Sequence, residues 1–263
     1  MMTPTKSLIH ARSLWDRESV RWGKMPEVTL GDHPFMQLLD AYNVFDRETR
    51  VLDVGCGSGR FTVALARKCK EAVGIDLSEA MIGQARKRAQ KADIHNIRFI
   101  CEPWQRANLE TLGFRKNFDT VFAHMTDAVN DEQTAKKMTE TSRSLCILEM
   151  WQSRRNAALE AAFRVLGWNR ALDHRESLRK IEEYLKESRI PYEKSLRTEK
   201  KIFKRTLDEV LTFCTWRVPE EYLTEDIIKQ MAESLKFFEK NNIIEVETEE
   251  DILTLIWRVN DVH

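Results

Sequence analysis

Val51-Leu52-Asp53-Val54-Gly55-Cys56-Gly57-Ser58-Gly59-Arg60 is an apolar strand that runs straight into three alternating glycines. Glycine has no Cβ and takes positive φ without strain, so such a turn lets backbone N–H groups close on a ligand that other residues would hold away. A second strand-like run, Ala72-Val73-Gly74-Ile75, ends at Asp76, 21 residues beyond Gly55. An acidic side chain at that offset accepts hydrogen bonds from both hydroxyls of a ribose. Together the two runs predict a site for a nucleoside-bearing cofactor. Arg60 stands where a dinucleotide fingerprint has its last glycine, which favours a cofactor without a pyrophosphate.

Around this turn the apolar pattern alternates between strand and helix. Strand-like runs lie at 50–55, 72–76, 97–101, 120–123 and 144–150, and a helix over 60–70 carries Phe61, Ala64, Leu65 and Lys68 at helical spacing. Ser78 is placed to cap a helix carrying Met81, Ile82, Ala85 and Ala89. This βαβ alternation predicts an α/β fold, doubly wound, with a mostly parallel sheet and helices on both faces. Beyond residue 150 the pattern gives a helix over 155–166 stopped by Gly167 and an amphipathic helix over 173–188. A strand over 195–203 and helices over 207–213 and 225–240 follow, then two short apolar runs, 243–246 and 252–259, expected to pair antiparallel. The whole reads as a single domain, 1–263. It has a helical leader (1–47, with Trp15 and Trp22), a cofactor-binding half (48–150), a helical insertion or lid (151–200) and a C-terminal half (201–263).

Composition narrows the class. Hydrophobic residues are 42% and charged residues 32%, as in a soluble globular protein, and no apolar run reaches the roughly 20 residues that span a bilayer. Lysine plus arginine equals aspartate plus glutamate at 42 each, so the overall charge does not point to a phosphate backbone as partner. The five cysteines, 56, 69, 101, 146 and 214, form no C-x-x-C pair and are odd in number, which fits a reducing compartment and a cytoplasmic location. No Asp/Glu/His cluster has metal-ligand spacing, so no metal is expected.

The run from Asp53 to Arg60, followed by Gly74-Ile75-Asp76-Leu77-Ser78 and then Met81, closely resembles the cofactor half of the class I, Rossmann-like, S-adenosylmethionine-dependent methyltransferases. The specific match covers residues 48–127, and the element order follows more loosely to the C-terminus. The resemblance implies a seven-stranded-type sheet, S-adenosylmethionine as cofactor, and a leader that folds across it and shapes the acceptor pocket. It also implies roles. Asp53 would order the glycine turn; Gly55, Cys56 and Gly57 would line the methionyl and ribose side; Asp76 would take the ribose. Leu77 and Met81 would pack on adenine, and Glu102, at the start of Glu102-Pro103-Trp104, would accept the adenine amino group, with Trp104 as a further wall.

Ligands of open α/β sheets lie beyond the carboxyl ends of the strands, where strand four supplies His124, Met125, Thr126 and Asp127. Methyl transfer is an in-line displacement that needs alignment and exclusion of water more than acids and bases. An acceptor bearing a proton still needs a base; His124, whose residue type titrates near neutrality, is the candidate, with Asp127 second. The strand-four end lacks the D/N-P-P-Y/F/W motif of many amino-directed methyltransferases of nucleic acids and proteins. With the balanced charge, this leads to an expected small-molecule acceptor, with no nucleic-acid and no membrane partner. A non-catalytic S-adenosylmethionine-binding module and an NAD-dependent oxidoreductase are the alternatives. The acceptor atom and the oligomeric state are not legible.

Overall fold

Two helices precede the first strand, α1 (Pro4–Gly23) and α2 (Pro34–Ala41). In α2, Pro34 supplies a preset φ at the first position and His33 Nδ1 accepts the Phe35 N–H, which leaves Phe35, Met36 and Leu39 buried on one face. The chain then alternates: β1 (Arg50–Val54), α3 (Arg60–Ala66), β2 (Glu71–Asp76), α4 (Glu79–Lys91), β3 (Ile97–Cys101), β4 (Phe118–His124), α5 (Glu132–Thr141) and β5 (Ser142–Asn156). After these come α6 (Ala157–Arg164), β6 (Leu172–Asp173), α7 (Arg175–Glu187), β7 (Tyr192–Arg205) and α8 (Leu207–Thr215). The last elements are α9 (Glu225–Lys236), β8 (Glu239–Lys240) and β9 (Ile243–Arg258). The structure, a computed structural model, describes residues 4–259 apart from 30, 32, 45 and 169–171. Among the described residues no helix is long and apolar enough to cross a membrane.

The described chain divides into two compact units. The first holds residues 1–150, 177–194 and 254–263, with strands hydrogen-bonded in the order β3-β2-β1-β4-β5-β9. The first five strands are parallel, with Val54 opposite both Ile75 and Ala123, and His124 opposite Glu149. β1 is apolar at Val51, Leu52 and Val54 because both faces of a parallel sheet are covered. On one face the core gathers Phe35, Leu39, Val51, Leu65, Phe122, Ile147 and Ile256. The strand order reverses between β1 and β4, and a crevice opens at such a switch point beyond the strand ends. The apolar stripe of α7, Leu178, Ile181 and Leu185, is buried.

The second unit, residues 151–176 and 195–253, has its own core where Leu159, Phe163, Val210, Phe213, Met231, Leu235 and Ile244 pack α6, α8 and α9 together. One sequence expectation is corrected here. The runs 243–246 and 252–259 do not pair with each other; they are the two ends of the single strand β9. Its side chains meet those of β5 in descending order, Ser153 with Asp251 and Asn156 with Thr248, so β9 runs antiparallel to β5. The polar middle of β9 reads as a turn, but its acids have cross-strand partners: Lys204 holds Glu245, Lys200 holds Glu247, and Arg155 holds Glu249. Opposite charges facing across strands support an extended chain that hydrophobic periodicity misses.

Candidate active site

The glycine turn has a built geometry. Gly55 sits at φ 72°, and a Cβ there would lie 2.1 Å from Thr126 Oγ1, so only glycine fits against the loop after β4. Gly57, at φ 52°, has open space where a Cβ would stand, which leaves its backbone accessible to a ligand. The N–H groups of Gly55 and Cys56 both donate to Ile75 O, at 2.8 and 3.1 Å, tying the turn to the end of β2. Asp76 then fixes the turn from the other side. Its Oδ2 accepts from Gly57 N at 2.9 Å and its Oδ1 from Ser78 N at 2.9 Å. Each carboxylate oxygen keeps a further lone pair, so ribose hydroxyls can still be received. Burial pushes the Asp76 carboxyl up, and the backbone bonds oppose that shift.

Asp53 lies behind the turn, where Thr62 Oγ1 donates to its Oδ2 at 2.6 Å and joins β1 to α3. Its carboxyl is pushed up to about 7, first by burial, with Thr62 opposing and the Asp76 charge adding. Cys56 is buried, and burial raises its thiol well above the ordinary value. Ser78 Oγ accepts from Met81 N at 3.0 Å, capping α4 and placing Met81 in the buried first turn. Glu102 N donates to Asp76 O at 2.9 Å, which keeps the half-buried Glu102 beside the ribose-binding candidate. Trp104 departs from the expected adenine wall. Its ring is 2% exposed and its Nε1 donates to Thr134 O at 3.0 Å, so it is packed into the interior with Pro103. Asp127 is an exposed loop residue.

The leader reaches this turn through hydrogen bonds from side chains to backbone and, at Asp16, from side chain to side chain. Arg12 Nε donates to Leu77 O at 3.0 Å, and Asp16 Oδ1 accepts from Ser78 Oγ at 2.5 Å. Ser58 Oγ donates to Trp22 O at 3.1 Å, and Arg60 Nε to Pro26 O at 2.9 Å. Arg60 thus uses the position of the missing glycine to hold the leader. The indole Nε1 of Trp22 is buried without a hydrogen-bond partner. A buried donor on the residue whose carbonyl meets Ser58 calls for an acceptor, which a bound ligand could supply. That donor, the open face of Gly57 and the lone pairs of Asp76 fit a ligand with ribose hydroxyls and further polar oxygens.

At the end of β4 the structure assembles residues that lie far apart in the sequence. His124 stacks on Phe35 at a ring separation of 4.3 Å and meets Phe61 at 4.4 Å and His33 at 5.5 Å. Its Nε2 is 3.5 Å from Glu149 Oε1, and Thr254 Oγ1 donates to Glu149 Oε2 at 2.8 Å. Met125, at φ 51°, turns the chain away while its N–H donates to Glu149 O at 2.7 Å. Sequence reasoning missed Glu149, Thr254 and His33. For Glu149 there was a signal, a lone acid within Leu145-Cys146-Ile147-Leu148-Glu149-Met150.

Comparison with known proteins places this geometry. The YcgJ protein of Bacillus subtilis shares 15% identity and a TM-score of 0.57 over 86% of this chain and 97% of its own. A putative methyltransferase of Bacillus halodurans gives 15% and 0.56 over 84% and 97%. These likenesses establish the fold. Among curated proteins, a 23S rRNA (uracil(1939)-C(5))-methyltransferase of Xanthomonas campestris pv. campestris is 34% identical over 84 residues, 32% of this chain. A tRNA (guanine-N(7)-)-methyltransferase of Rubrobacter xylanophilus is 45% identical over 58 residues, 21% of this chain. The matches span only 18% and 26% of the length of those relatives. They nevertheless overturn the expectation that excluded a nucleic-acid partner in favour of a small molecule. Net charge sums the whole surface and is blind to local patches, so a balanced total was never a ground for that exclusion. A family profile described as a methyltransferase domain matches residues 45–236, and the chain belongs to that family, with S-adenosylmethionine as its cofactor.

Proposed function

We propose that this chain moves the methyl group of S-adenosylmethionine to a proton-bearing nitrogen or oxygen, with His124 receiving the proton. The observation that carries this reading is the position of His124. It stands one residue past the Val54–Ala123 pair at the reversal of strand order, with Phe61 from the first turn of α3 against its ring. When bound, S-adenosylmethionine supplies a methyl carbon whose bond to a positively charged sulfur breaks, the electron pair staying on sulfur, as the acceptor bond forms. The protein's share is holding, drying and proton transfer. Gly57, Asp76 and Glu102 would hold the nucleoside and Trp22 Nε1 a further oxygen, while Phe35 and Phe61 keep water from the imidazole. A positioned imidazole that takes the acceptor proton contributes on the order of 100-fold or more to such a reaction.

The names of the curated relatives bring RNA to this chain as an acceptor class to be tested beside small nucleophiles. The experiment supplies donor with a labelled methyl group to structured RNA in one arm and to a panel of small amines, phenols and acids in the other. The proposal expects label in one arm, a loss of about 100-fold or more in His124→Ala, and S-adenosylhomocysteine binding by that variant within a few-fold of the wild type. Full turnover by His124→Ala would remove the base role.

A further inference from the structure

The buried carboxylate of Glu149 belongs to a row that crosses three neighbouring strands at one level of the sheet: His124 on β4, Glu149 on β5 and Thr254 on β9. His124 and Glu149 are register partners, and Thr254 joins Glu149 from the other side through its 2.8 Å hydrogen bond. Glu149 is 1% exposed and the His124 side chain 9%, so the pair sits in a medium where charges act strongly on one another. An acid in such a place is costly unless it is hydrogen-bonded and has a cation to face. Thr254 supplies the hydrogen bond, and His124, neutral before the transfer, becomes the facing cation once it has taken the acceptor proton. The ring also meets Phe35 of α2, Phe61 of α3 and His33 at the α2 N-cap. His33 uses Nδ1 to accept the Phe35 N–H at 3.2 Å.

We propose that Glu149 is the positioning residue of this site: held by the Thr254 hydroxyl, it orients the His124 imidazole and offsets the positive charge that the ring gains with the acceptor proton. The inference rests on the reading of His124 as base. The proton leaves the acceptor nitrogen or oxygen and bonds to an imidazole nitrogen of His124; Glu149 stays ionised throughout and takes no proton. The stack on Phe35 adds to the same end, since a cation is favoured over an aromatic face. β9 thereby gains a part in the chemistry, because its Thr254 anchors the carboxylate.

The test is an NMR titration of the His124 ring in the full-length protein, read in wild type, Glu149→Gln and Glu149→Asp, with S-adenosylhomocysteine calorimetry to verify that the donor site is intact. Glu149→Gln keeps the size of the side chain and loses its charge. It is expected to lower the midpoint of the His124 titration by about one pH unit or more, a tenfold loss of proton affinity, with a smaller fall in Glu149→Asp. A residue that only filled space would leave that midpoint where it was. An unchanged midpoint in the folded variants overturns this inference while leaving the base role of His124 standing. Full turnover by His124→Ala removes both.

Discussion

Asp53 shows how a residue can be needed and costly at once. Its carboxyl is buried under the glycine turn, held by Thr62, and pushed up to about 7. An unfolded aspartate titrates near 4, so the fold favours the protonated form. The contribution of Asp53 to stability is therefore fully present below about pH 4 and is lost as the pH rises through about 7, a change of a few kcal/mol. In Asp53→Asn, which keeps an oxygen for Thr62, the melting temperature measured without ligand should fall less between pH 4.5 and 7.5 than in the wild type. Parallel curves would show that Asp53 does not titrate in this range. Single residues were legible from sequence where their partners are close along the chain or fixed by a motif, as with Gly55, Gly57 and Asp76. His33, His124, Glu149 and Thr254 meet only through strand pairing and the docking of α2, and nothing in the sequence announces their neighbourhood. Trp104 reads as a loop residue after β3, yet the carbonyl of Thr134 draws its N–H inward.

Among elements, the strands and helices of the sheet were legible because each carries its own periodicity. The strand β9 was not, since its acidic middle is extended only by virtue of partners on β5 and β7. The docking of α1 was also silent, because it depends on side chains finding backbone carbonyls. Arg88 of α4 is the clearest case. Its guanidinium donates to Met25 O at 2.9 Å and Gly23 O at 3.3 Å, and its Nε to Ser58 O at 3.2 Å, so one side chain pins the end of the leader to the glycine turn. Removing bonds of this kind costs about 1–3 kcal/mol locally. Arg88→Ala is expected to speed tryptic cleavage after Lys24 severalfold and to weaken S-adenosylhomocysteine binding, with little change in the global unfolding midpoint. Cleavage at the wild-type rate would mean that the leader is held by other contacts.

Across the whole molecule, a strand order that reverses between β1 and β4 creates a crevice. The glycine turn follows β1 and the His124–Glu149–Thr254 row starts at the end of β4, the two strands between which the order reverses. The donor side was written in a short, dense motif, which is why both fold and cofactor could be read from sequence. The residues proposed to face the acceptor are spread from residue 33 to residue 254, so no single motif announces them, and net charge, which sums the whole surface, could not say whether the acceptor is a nucleic acid. The account stands on the donor site, and calorimetric titration with S-adenosylhomocysteine tests it most directly. One molecule should bind per chain, and Asp76→Ala should weaken that binding about tenfold or more, as expected for the loss of hydrogen bonds to a charged group. Absence of binding by the folded wild type at high micromolar ligand, or equal affinity in Asp76→Ala, would contradict it.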